Sequence, residues 1–87
     1  MDYPELRARA LLEPMSRDML EQQIRRSGGN SELYLRLARA CVRDDRFQEA
    51  LRHYDQAELL GAPEAALERA VLARHIGDFP DGDLSLA

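Results

Sequence analysis

The side chains of this chain that could do chemistry are one cysteine, two histidines, four serines and several acidic pairs. Nucleophilic catalysis needs a nucleophile within reach of a base. Cys41 stands on an apolar helical stripe with no histidine in its own helix, the setting of a buried structural thiol. Ser16, Ser27, Ser31 and Ser85 fall at caps or element ends, and none sits in a nucleophile-elbow sequence. Metal binding needs clustered ligands. His53 and His75 lie 22 residues apart on different helices. Glu49 and His53 share a helix face one turn apart, which suits a surface metal contact, but a solvated pair is far commoner. Gly28-Gly29 follows a helix and has no Lys after it, so it is no phosphate loop. Asp44-Asp45 reads as a turn, and Asp78, Asp81 and Asp83 as a helix start. Acid–base work would need a concave pocket around them. We expect no catalytic residue, no metal and no cofactor.

The elements carrying these residues read as helices. Aromatic residues are few, Trp is absent and β-branched runs are rare, so strands are not expected. Asp2 to Glu13 is a first helix, capped by Asp2 and ended by Pro14, with Leu6, Ala10 and Leu11 or Leu12 facing inward. Ser16 to Ser27 is a second, with Ser16 as N-cap and the stripe Met15, Met19, Leu20, Gln23, Ile24. Gly28-Gly29 stops it. Asn30 caps a third, whose stripe is Leu33, Tyr34, Leu37, Ala38 and Cys41. Arg43 to Arg46 makes a tight turn. The fourth carries Phe47, Ala50, Leu51, Tyr54, Ala57 and Leu60, and Gly61 ends it. Asp45 followed by Gln48 could form a capping box. Pro63 opens a fifth helix, PEAALERAVLARHIG, apolar nearly all round and so covered on more than one side.

Residues 31–63 resemble a tetratricopeptide repeat, a helix–turn–helix unit of about 34 residues. Tyr34 matches its first aromatic, Leu37-Ala38 its Leu-small pair, and Phe47, Ala50, Tyr54 and Ala57 its second helix. The chain departs from the pattern at three places. Cys41 replaces a larger side chain, Asp45 replaces a turn glycine, and Ala62 holds the slot of the closing proline, with Pro63 following. If the family geometry holds, Asp45 takes the left-handed conformation instead of building a capping box. The resemblance implies an all-α helix-hairpin repeat fold of about five helices in a single domain. Residues 1–29 would be a degenerate repeat or a cap of unrelated helices, 31–63 the central repeat, and 63–87 a partial repeat. In that last part Gly77 to Asp81 repeats the turn signature and a second helix should begin, with Gly82 where Ala is expected.

The family binds other proteins on a concave surface lined by the first helices of successive repeats. The resemblance therefore places a partner-binding face at Glu32, Leu35, Arg39, Val42 and Arg43, continued on the fifth helix by Leu67, Val71 and Arg74, with His75 beside them. Leu35 and Val42 are apolar but lie off the main stripe. Either they line this groove, or they pack on the second or fifth helix. The arginines between them would suit an acidic or carboxylate-bearing helix or peptide. The family's chaperone-binding members hold a C-terminal carboxylate with Lys, Asn and Arg. Here Leu35 and Arg39 stand at two of those places and the chain has no Lys, so that subclass is not expected.

Composition bounds the rest. With 87 residues, 45% hydrophobic and 32% charged, the chain is one globular domain with a thin stability margin. All 12 basic residues are Arg, which we read as the coding bias of a GC-rich bacterium. Net charge is −4: residues 1–43 carry +2 and residues 44–87 carry −6. That argues against nucleic acid, which needs a clustered basic face. No secretory signal or membrane-length apolar run is present, so cytoplasm is the default and no membrane insertion is expected. A short repeat array needs covered ends, which a partner or a second copy would supply. The expected function is non-catalytic protein binding, as a specific chaperone or an assembly scaffold. The alternative is an accessory domain of a larger enzyme or secretion complex, or a small enzyme on the same helices.

Overall fold

The computed structural model describes residues 1–77. Five helices follow one another: α1 (Tyr3–Leu11), α2 (Arg17–Ser27), α3 (Ser31–Arg43), α4 (Phe47–Leu59) and α5 (Pro63–Gly77). No strand occurs among the described residues. The expected turn and helix after Gly77 lie outside them.

The helices start where short polar side chains satisfy their first N–H groups. The Glu5 N–H donates to Asp2 Oδ1 (3.1 Å), that of Met19 to Ser16 Oγ (3.2 Å), and that of Leu33 to Asn30 Oδ1 (2.8 Å). Helix α4 lacks such a cap: its N-cap residue is Arg46, whose side chain carries donors only, and Asp45 before it serves the end of α3. Asp45 adopts φ 62°, the left-handed conformation, and the Arg46 N–H donates to the Cys41 carbonyl (2.7 Å) while the Asp45 N–H donates to that of Val42 (3.1 Å). This is a Schellman ending to α3 with Asp in the glycine position. Helix α4 ends the same way at Gly61 (φ 107°), where the Ala62 N–H donates to the Ala57 carbonyl (3.0 Å).

The main packing is between α3 and α4, then between α4 and α5. Ala38, Ala50 and Ala57 are fully buried, so their small side chains let these helices approach closely. Tyr54, Leu37, Leu72 and Cys41 fill the space around them. The all-α helix-hairpin architecture read from the periodicity is the observed one.

Helices α1 and α2 are placed differently from a hairpin. Helix α2 packs on α3, whereas α1 packs on both α3 and α5 and has no interface of any extent with α2. Contacts give the directions. Along α1, Tyr3 meets Phe47 and His75, Arg7 meets Asp45, and Arg9 meets Glu68 beside Arg39; just beyond it, Glu13 meets Arg36. Helix α1 therefore runs antiparallel to α3 and α5. Helix α2 also runs against α3, since Arg17 meets Asp44 and Gly29 lies against Tyr34. So α1 and α2 point the same way, and residues 12–16 must return along α3. The distance from Arg36 to Asp44 is about 12 Å of helix, within the roughly 17 Å that five extended residues span. Arg43 holds this crossover by donating to the carbonyls of Glu13 (2.8 Å) and Met15 (3.0 Å).

Candidate functional site

The face of α3 and α5 turned towards α1 is where the resemblance places a groove. Its centre is Glu68 on α5, which is 0% exposed. Glu68 continues the buried stripe of Ala65 and Leu72, at steps of three and four. A polar group buried there needs hydrogen-bond partners. Arg39 of α3 supplies a two-pronged contact, its Nε donating to Oε1 at 3.0 Å and its Nη2 to Oε2. Tyr54 of α4 donates its hydroxyl to Oε1 (2.9 Å), and Arg9 of α1 donates to Oε2 (3.2 Å). Four helices thus meet at one carboxylate. Hydrogen bonding to Glu68 pushes the Arg39 guanidinium further up. Burial, then the Glu68 charge, push the Tyr54 phenol far above its ordinary range, so it stays a donor.

Around this centre the expected site residues separate. Leu35 is 6% exposed and Val42 0%. They share one core cluster with Leu6 and Ala10 of α1 and Leu20 of α2, the two helices that pack over α3. Neither offers apolar surface to a partner, and the exposed strip expected of them is absent. Arg39 is committed to Glu68 and Arg43 to the crossover, so neither is poised for an outside acid. Glu32 is exposed and lines a polar cleft with Leu35, Arg36, Arg39 and Glu64 between the starts of α3 and α5. Val71 and Arg74 line a second cleft with Tyr3 and His75 at the far end of α1. Leu67 is 50% exposed. Helix α1 lies between the two clefts.

Glu68, Arg9 and Glu13 were missed by sequence reasoning. Glu68 was detectable as the charged residue on the inward stripe of a helix apolar nearly all round. Arg9 and Glu13 carried no such signal, because the reversed course of α1 is not written in its periodicity. Glu13 accepts from Arg36 Nε and Nη2 (2.9 Å each). Burial pushes its carboxyl up, but hydrogen bonds from Arg36 and the Met15 N–H, with the Arg36 and Arg43 charges, outweigh that and hold it below the ordinary range.

The chemistry of the other reactive groups is quiet. Burial raises the Cys41 thiol to about 12, which leaves it protonated and inert. Asp44 is held low by Arg43 and Arg17, and Asp45 pairs with Arg7 (3.2 Å). Burial lowers His53, with Glu21 and Glu49 opposing and Arg52 assisting. Among the described residues no group of three or more His, Cys, Asp or Glu side chains is placed to hold a metal ion. None of the described helices is long and apolar enough to cross a membrane. Comparison with protein-family models, with curated proteins and with solved structures finds no match to this chain.

Proposed function

We propose that the chain is a non-catalytic protein-interaction module of the tetratricopeptide-repeat kind, binding a helix or peptide of another protein as a chaperone or assembly scaffold. One observation carries this reading: the inner face of α3 and α5 already receives a helix, α1, laid antiparallel along it. A surface that accommodates a helix in cis has the shape that helix-in-groove recognition uses. The family assignment is supported by the buried alanines at 38, 50 and 57 and by the left-handed Asp45 in the glycine slot. Exposed Leu11, Leu12, Leu59, Leu60 and Leu67, on the ends of α1 and α4 and on α5, add apolar contact surface. The test is affinity capture from the native source by the wild-type chain and by Leu67→Glu/Arg74→Glu, which alters exposed positions only. A defined protein retained by the first and lost by the second, at equal helicity, is the expected result. Equal retention by both chains, or retention of none, would overturn the reading.

A further inference from the structure

We propose that α1 is an exchangeable occupant of the α3–α5 face, and that the partner it yields to is a basic amphipathic helix built like α1 itself. The inference rests on the helix-binding reading above and names the chemistry of the ligand.

Helix α1 buries few of its own residues. It has nine residues, too few to be stable alone. Only Leu6 and Ala10 are buried. Its ion pair to Asp45 is exposed on both sides, of a kind that contributes little. It has no interface of any extent with α2, and the short stretch 12–16 joins the two. The α3 and α5 helices it packs on are the opposite, with Leu35, Val42 and Leu72 all buried in the one core cluster that also holds Leu6 and Ala10.

The polar group on that face sets the sign of the occupant. An ionised carboxylate has about four acceptor sites. On Glu68, Arg39 fills two and Tyr54 one, and these stay with α3 and α4. Arg9 fills the fourth, and it alone leaves with α1. Departure of α1 therefore opens one acceptor on a buried carboxylate, which a cationic N–H donor on whatever replaces it fills most strongly. Asp45 adds a second acidic contact at the position of Arg7, and His75 offers a ring for an aromatic, as Tyr3 uses it at 3.6 Å. The replacing helix carries an aromatic, a Leu three residues later, Arg at the next and third positions after that Leu, and a small residue following. This reverses the acidic ligand expected from Arg39 and Arg43, because both arginines are already neutralised within the chain.

The experiment uses the full chain and a fluorescent peptide of residues 1–13. Tyr3→Ala/Arg7→Ala in the chain removes the outer contacts of α1 and leaves Glu68 with its α3 and α4 partners, Arg39 and Tyr54, unaltered. Peptide binding, followed by anisotropy, is expected to be at least tenfold tighter to this variant than to the wild type. A peptide carrying Arg9→Glu is expected to bind at least tenfold more weakly. As a second measurement, saturating peptide on the wild-type chain should speed hydrogen exchange in α1 while α3 and α5 stay protected. Absence of peptide binding, or binding indifferent to Arg9→Glu, overturns the inference. So does a dimer that the peptide dissociates, which would assign the face to the α1 of a second copy. Failure of exchange with partner capture intact removes this inference alone. Exchange without any partner capture supports the displacement of α1 by a helix of this chemistry and removes the broader functional reading.

Discussion

Glu68 shows how a single side chain ties four helices together. Its buried carboxylate is neutralised by Arg39 and by the half-exposed Arg9 and accepts from the buried Tyr54 hydroxyl. Removing the carboxylate leaves the buried Tyr54 hydroxyl unpaired and frees two arginines that water reaches in part, at about 1–3 kcal/mol. Glu68→Ala should therefore lower stability by about that amount in urea unfolding; a loss under 1 kcal/mol would mean that water replaces the carboxylate. Cys41 makes a second residue-level test. With its thiol pushed up to about 12 by burial, modification by a thiol reagent at pH 8 should occur only as fast as the chain opens. Fast stoichiometric labelling of the folded chain would contradict its placement. The titrating groups act in one direction. His53 is lowered from 6.5 by burial, so stability is full above 6.5 and falls as pH drops below it towards the depressed value. Glu13 and Asp44 are also depressed, so their contributions hold above the ordinary carboxylate range and fade as pH falls through it and below. The acid limb should thus have two stages in urea midpoints, with His53→Gln removing the upper and Glu13→Gln flattening the lower.

At the scale of the elements, the α3–α4 hairpin depends on close approach at alanines. Ala50 is fully buried between neighbours, and Ala50→Leu should cost roughly 1–3 kcal/mol through overpacking. An unchanged melting curve would count against that interface. The turn before α4 tells how a local alternative was resolved. Asp45 with Gln48 had the spacing of a capping box, and Asp45 also occupied a glycine slot. The Schellman bonds to Cys41 and Val42 require φ above zero at residue 45, so the left-handed conformation prevails and α4 begins without a side-chain cap. The caps at Asp2, Ser16 and Asn30 were readable because each is a contact across three residues, which spacing alone defines.

On the scale of the whole molecule, α1 and the crossover decide what the inner face can do. Leu35→Asp with Val42→Asp was the natural way to block a groove read from the sequence. With both residues buried under α1 and α2, the pair should instead abolish the fold, seen as loss of helical circular dichroism. Retained helicity would show that these positions reach solvent.

The amino-acid order by itself determined the five helices, the caps of the first three, the small residues at the α3–α4 contact and the all-α class, because each rests on spacings within one or two turns. Only the tertiary structure decided that α1 runs against α3 and α5, that Arg43 clamps the crossover, and that Glu68 gathers Arg9, Arg39 and Tyr54. Those contacts join residues 14 to 59 positions apart, and helical periodicity holds no information about which way a neighbouring helix points.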